Sequence, residues 1–293
     1  MDAGIPPSIM GGRLGAIQTV GRRARRLGGD ASLVIGVAIV GALILLVSLA
    51  PVLAPANPNT QDIAQILAPP GTPGHLLGTD ALGRDVLSRV LYGGRIDLFV
   101  ALGALILPFA IGVLVGTVAG YRGGALDGVL VGVVDVVFAF PILVLLIALV
   151  FVLGPGITTI VVAVTAVDWV AYARLTRTLA RRERAMEYVL AARVGGVPHW
   201  RIVARHVLPN IISQPVVYAM SDAVGIILFI TTLGFLGLGV QPPATDWGTM
   251  IADAQNYLDS NWWLAVIPGV AICLAGLGLS LIADGLAQRL DAR

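Results

Sequence analysis

Three aspartates, Asp135, Asp168 and Asp222, stand in or at the edges of long apolar runs. A carboxylate at membrane depth is costly unless it faces a cavity or a partner. Working chemistry for such groups is cation handling, with a pathway-lining carboxylate meeting an ammonium group or another cation. The plain alternative is a position near a helix end, or pairing with an arginine such as Arg174. Asp168 fits the plain alternative better, Asp135 fits either, and Asp222, about three turns into the fifth apolar run, is the pathway candidate.

Other chemistries are short of residues. All 19 basic side chains are arginine. A phosphate-binding P-loop and a pyridoxal Schiff base both need lysine. The single cysteine, Cys273, excludes an intrachain disulfide, a cysteine-ligated zinc site and an iron–sulfur cluster. His75, His199 and His206 have no metal-ligand spacing. No nucleophile–base set or general-acid pair is visible, so catalysis by this chain is not expected. A net charge of +2 gives no reason to expect nucleic acid.

The elements that must position these residues are membrane helices. Of the 293 residues, 57% are hydrophobic and 12% charged, and the mean hydropathy is +0.90; soluble domains carry about 25% charged residues. Residues 31–61, 98–121, 136–167, 223–245 and 260–283 contain no charge, and each reaches the ~20 residues a spanning helix needs. The expected spans are Ser32–Leu53, Leu98–Ala119, Gly128–Leu153, Ile157–Ala173, Asn210–Val240 and Trp262–Ala283. The chain thus reads as an all-α, six-span membrane protein, divided into a tail (1–30), an anchor helix (31–53), an outer segment (54–97) and a five-helix core (98–293). Ala54-Pro55-Ala56 imitates a signal-peptidase site, but the apolar run before it is too long and prolines crowd it, so the anchor is expected to stay. Sixteen arginines fall in 1–30, 120–127, 174–209 and 284–293, against three (Arg84, Arg89, Arg95) in the remaining loops. That asymmetry predicts both termini in the cytoplasm. Trp247, Trp262 and Trp263 flank the last span as interfacial aromatics would. Gly112, Gly116 and Gly120 lie on one face of the second span, as close helix contact requires, although membrane helices are glycine-rich in any case.

The segment 174–209 is the longest polar stretch between spans. It has helix-forming composition to Val194, a Gly195-Gly196 break, Pro198, and a second amphipathic helix from about His199 to Val207. Met186, Val189, Leu190 and Val194 recur at helical spacing, with arginines opposite. This is either a docking surface or an interfacial helix with arginines on anionic lipid headgroups.

The residues here resemble a known family. Ala191-Ala192, then Gly196, then Leu208-Pro209 is similar to the EAA loop of ATP-binding cassette importer permeases, with Leu190 where that family has glutamate. Other matches resemble the C-type permeases for dipeptides, oligopeptides and nickel. They are Gly78-Thr79-Asp80 with Gly83 to Arg89, Gly120 to Gly124 with Asp127, Asp135 with Phe140-Pro141, Phe235 to Pro243 with Asp246-Trp247-Gly248, and Asp284-Gly285-Leu286 through Leu290-Asp291. They run collinearly from about residue 31.

The resemblance implies a type I importer permease fold in a bacterial inner membrane, with no ATPase activity or cofactor of its own. Expected partners are a second, homologous permease, two ATPase subunits that bind ATP and magnesium, an extracytoplasmic solute-binding protein and membrane lipid. In the family the EAA loop seats on the ATPase. This assigns Tyr188, Ala191, Ala192, Gly196 and His199 to the contact core, with Arg201, Arg205, Leu208 and Pro209 beside them. On the outer face, Arg84, Asp85, Gln241, Pro243, Asp246 and Trp247 would meet the binding protein or partner permease. Many relatives carry glutamate before the Phe235-Leu236-Gly237 run, where this chain has Ile230. The cargo implied is a di- or oligopeptide, with nickel, glutathione or haem as alternatives. An ion-coupled carrier or channel working through Asp135 and Asp222 is the reading from another class.

Overall fold

The computed structural model describes residues 29–291; the basic tail cluster Arg22–Arg26 lies outside them. Among the described residues the elements are helical. They are α1 (Gly29–Ser48), α2 (Ala50–Leu53), α3 (Val86–Arg122), α4 (Gly124–Phe138), α5 (Ile142–Leu153), α6 (Ile157–Glu183), α7 (Glu187–Val194), α8 (His199–Ile202), α9 (Leu208–Ile211), α10 (Ser213–Phe235), α11 (Trp247–Ala254) and α12 (Trp263–Asp291). A π turn over Val203–Val207 joins α8 to α9.

Among the described residues, five helices (α1, α3, α6, α10 and α12) are long and apolar enough to span a bilayer, and α4 with α5 makes a sixth only as a bent pair. This corrects the expected straight span over Gly128–Leu153, because the two halves meet at 87°. Pro141 caps α5 at φ −60° and ψ 123°. It lacks an N–H and pushes the preceding residue out of helical conformation, so the helix stops at Phe138.

A second difference lies at α3, which begins at Val86 rather than Leu98, so residues 86–97 leave the outer segment and join the helix. Hydropathy missed these roughly three turns because they carry Arg89 and Asp97. Both are buried here, and Asp85 caps the helix by accepting from Ser88 N at 2.7 Å. At 37 residues, α3 is about 55 Å long at 1.5 Å per residue, well beyond the ~30 Å hydrocarbon core. It therefore projects beyond the bilayer, as does α6, which runs ten residues past its expected end to Glu183.

The α3–α6 pair is the most extensive in the molecule. Gly112, Gly116 and Gly120 form its seam. A Cβ at each would strike the α6 backbone at Trp169, Ala173 and Arg177 respectively. Small residues let the two backbones close, which in lipid is the principal source of helix attraction. The main core lies where α3, α6 and α10 meet, around Ala104, Ile160, Val164, Tyr172, Ile226 and Ile230. Against α12, α1 rests through Gly36 beside Gly278 and Gly285 beside Leu33, with Asp30 paired to Arg289 at 2.8 Å.

Candidate functional site

At one end of α3 and α6 the segment 184–211 folds as a compact foot. After Glu183 the chain turns at 184–186, a break that helix-forming composition did not predict. It then forms α7, which ends at Gly195-Gly196. Gly196 has φ +76°, its N–H donates to Arg193 O at 3.1 Å, and Val197 N donates to Ala192 O at 3.1 Å. That pair of bonds is a Schellman motif, for which glycine is the residue without a steric penalty. Pro198 follows and caps α8.

The foot is tied to the long helices by a small core and by several polar contacts. Val189, Ile202, Val207 and Ile211 pack with Tyr121 of α3 and Ala180 of α6. The Tyr121 hydroxyl and His199 Nδ1 lie 3.0 Å apart, and Arg193 stacks over the Tyr121 ring at 5.6 Å. Arg184 Nη1 donates to Tyr121 O at 3.3 Å. Tyr188 donates to Glu183 and accepts from Asn210 Nδ2 at 2.7 Å. Partial desolvation and the Glu183 carboxylate raise the Tyr188 hydroxyl above the usual tyrosine range.

The residues singled out in the sequence therefore divide. Tyr188, Ala192 and His199 contact the chain itself, and Leu208 packs into the small core. Ala191, Gly196, Arg201, Arg205 and Pro209 are exposed. The apolar face also divides. Val189 is fully buried, whereas Met186, Leu190 and Val194, four residues apart, form an outward stripe, with Val194 90% exposed. Trp200, on the adjoining α8, is 67% exposed, although Arg201 stacks on one face of its ring at 5.3 Å. Trp200 was missed because a lone tryptophan among arginines resembles any interfacial aromatic. Large apolar side chains left outside a folded segment in a row at helical spacing suit an interaction surface.

Midway along the bundle the structure brings Asp168 and Asp222 together. Tyr172, fully buried, donates to Asp222 Oδ2 at 2.7 Å, and Asp168 lies beside this pair with its Oδ2 buried and without a hydrogen-bond partner among the described residues. Tyr172 packs edge-on to Phe109 and Tyr218, with centroids 5.5 and 5.1 Å apart. Asp168 is thus neither at a helix end nor paired with Arg174, whose guanidinium lies over Phe138 at 5.5 Å. A signal was available: Asp168/Tyr172 and Tyr218/Asp222 are both i,i+4 pairs, so each helix presents its acid and phenol on one face. Asp135 is apart from this cluster, exposed on α4.

At the opposite end of α3, most residues expected to face outward build an internal junction. Asp246 caps α11, accepting from Thr249 N at 2.6 Å in a capping box, and also accepts from Val240 N at 3.3 Å. Burial pushes its carboxyl up. Trp247, 1% exposed, donates its backbone N–H to Asp97 Oδ2 at 2.8 Å and its indole N–H to Val90 O at 3.0 Å. It is a core residue rather than an interfacial one. Asp85, also buried, holds Ser88 and lies 2.9 Å from His75 Nδ1. Gln241 and Pro243 remain exposed.

These features define a polytopic helical membrane protein with a latched polar foot and a paired-acid cluster between spans. Residues 112–293 match the family described as the binding-protein-dependent transport system inner membrane component, and residues 21–70 match the N-terminal transmembrane domain of oligopeptide transport permease C. The chain belongs to this permease family. It is 39% identical over 249 residues to the di/tripeptide transport system permease protein DppC of Pseudomonas aeruginosa, covering 83% of this chain and 82% of that one. It is 36% identical to the dipeptide transport system permease protein DppC of Haemophilus influenzae, over 88% of this chain and 90% of the relative. It is 34% identical to the oligopeptide transport system permease protein OppC of Haemophilus influenzae, over 92% of this chain and 87% of the relative.

Proposed function

We propose that this chain is one of two permease subunits of an ATP-driven importer of di- and oligopeptides in a bacterial inner membrane. Its foot is the cytoplasmic docking element for ATPase subunits, which bind the ATP and magnesium. The observation that carries the reading is the outward stripe of Met186, Leu190 and Val194, with exposed Trp200 on the adjoining α8, on a segment tied to both long helices. Docking at the stripe would move α3 and α6 together, because Tyr188 joins the foot to Glu183 and His199 joins it to Tyr121. Asp168 and Tyr172 ride on α6, so the same movement alters the acid cluster against Asp222 of α10. Asp222 is read as a pathway group and Asp135 as a second acid near the cytoplasmic end. The arginine asymmetry supports placing the foot and both termini in the cytoplasm. An extracytoplasmic solute-binding protein would deliver peptide at the other end.

The experiment is purification of the tagged chain from its native membrane, with ATPase activity measured in the eluate. Recovery of ATPase chains and a second permease, with turnover rising on addition of binding protein and peptide, supports the reading. A chain that carries protons or solute in liposomes by itself would overturn it in favour of a self-sufficient carrier built on the acid cluster.

A further inference from the structure

The outer end of the molecule holds a recess of about 310 Å³ lined by the loop at Asp80–Arg84, the start of α3 and the end of α11. That volume is at the lower end of ligand pockets, which run roughly 300–1,000 Å³. Its charges are arranged in two tiers. Deep in the wall, Asp80 Oδ1 accepts from Leu82 N and Arg84 N at 2.9 Å each, while Oδ2 accepts from Arg84 Nε at 2.7 Å and from Arg89. Asp80 is therefore fully occupied and fixes both guanidinium groups. Nearer the opening, Arg84 Nη2 and Arg89 Nη2 reach the same oxygen of Asp253, at 3.4 and 3.3 Å, and Arg89 Nη2 also donates to Thr245 Oγ1 at 2.9 Å. Charge-assisted bonds of this type close to about 2.7–2.9 Å when they are tight. Arg89 is 5% exposed and Arg84 16%, but Asp253 is 51% exposed. The recess thus contains two oriented guanidiniums and one loosely held, half-open carboxylate. A lone anion there would confront Asp253, and a lone cation would confront the arginines. A molecule carrying both charges satisfies both sides. A two-residue chain extends about 7 Å at most, so its termini can reach Asp253 and the arginines in one small recess.

We propose that this recess binds the charged termini of a short peptide, Arg84 and Arg89 taking the carboxylate and Asp253 the ammonium group. The proposal rests on the peptide-importer reading and adds a substrate site on the permease itself, at the end of α3 opposite the foot. Asn256 and Tyr257 line the same recess and supply hydrogen-bonding groups at its edge.

The test is equilibrium binding of tritiated alanyl-alanine to the purified complex in nanodiscs without the solute-binding protein. Alanyl-alaninamide and N-acetyl-alanyl-alanine serve as competitors. In the wild type each blocked peptide should compete about tenfold less well or worse, as expected for losing a bond to a charged group. Arg84→Gln should erase the penalty for amidation, and Asp253→Asn the penalty for acetylation. Equal competition by all three peptides, no binding to the wild type, or penalties that persist in the variants overturn the proposal. It is also overturned if Arg84→Gln leaves alanyl-alanine binding unchanged but weakens docking of peptide-free binding protein, since the recess is then a protein contact. Because Arg84 also holds Asp80, an unassembled Arg84→Gln complex leaves the decision to Asp253→Asn and the acetylated peptide. Peptide-stimulated ATPase activity of the wild-type complex separates the two levels: its presence beside a failed binding test leaves the importer reading standing.

Discussion

Gly196 is where a single backbone angle should control coupling. At φ +76° the residue is left-handed, and space around its Cα is open, with no atom within 4 Å of an added Cβ. Gly196→Ala therefore meets only the conformational penalty, about 1–2 kcal/mol for a residue with a Cβ in this region. That is roughly a 5- to 30-fold fall in the population of the intact turn. Gly196→Pro is more severe. Proline needs φ near −65°, and it deletes the N–H that reaches Arg193 O at 3.1 Å. Turning the chain away also breaks Val197 N to Ala192 O. Two bonds at about 1 kcal/mol each, added to the backbone misfit, bring the cost to at least about 3 kcal/mol, some 100-fold. The spans are untouched because the turn lies outside them. Both variants should therefore insert at wild-type levels by membrane immunoblot, while peptide-stimulated ATPase activity and dipeptide uptake in proteoliposomes fall in the order wild type, Gly196→Ala, Gly196→Pro. Wild-type uptake by the proline variant would refute the argument that this turn sets the docking surface.

Three further perturbations probe other parts of the molecule. Val194→Glu alters a side chain that is 90% exposed, so thermal stability in detergent should stay within about 0.5 kcal/mol while retention of ATPase chains on the tagged permease drops; full retention would contradict the docking stripe. Gly116→Leu forces a side chain into the α6 backbone at Ala173 and should cost about 1–3 kcal/mol or more, read as lost expression and a lower melting temperature; a stable variant would show that the α3–α6 seam can open. Asp222→Asn should change peptide uptake without changing assembly. Tyr172→Phe, which removes the 2.7 Å bond, should shift uptake in the same direction; if neither variant alters uptake, the cluster only stabilises the bundle.

Some of this was legible in the chain because it depends on local composition. Charge-free runs of spanning length exist whatever the packing, so α1, α6, α10 and α12 lie over their expected apolar runs, although α6 and α12 continue to Glu183 and Asp291, past the expected ends at Ala173 and Ala283. The Gly195-Gly196 break and Pro198 predicted the end of α7, since a left-handed turn and a fixed φ are properties of single residues. The glycine stripe was visible as a period of four, although only the neighbouring helix could decide whether it was used.

Other features depended on which faces meet. Val86–Asp97 looked polar because Arg89 and Asp97 carry charges; their partners Asp253 and Trp247 are more than a hundred residues away, and only the fold brings them close. Asp246 and Trp247 looked like surface residues for the same reason. The 87° bend between α4 and α5 needed more than Pro141, because a proline in α3, Pro108, leaves that helix continuous. Asp168 and Asp222 are 54 positions apart, on helices whose individual periodicities say nothing of their mutual rotation. Composition determined that the chain lies in a membrane and where the Gly195-Gly196 turn falls. Packing decided which carboxylates face each other, because a buried charge is tolerated only where the tertiary structure supplies its partner.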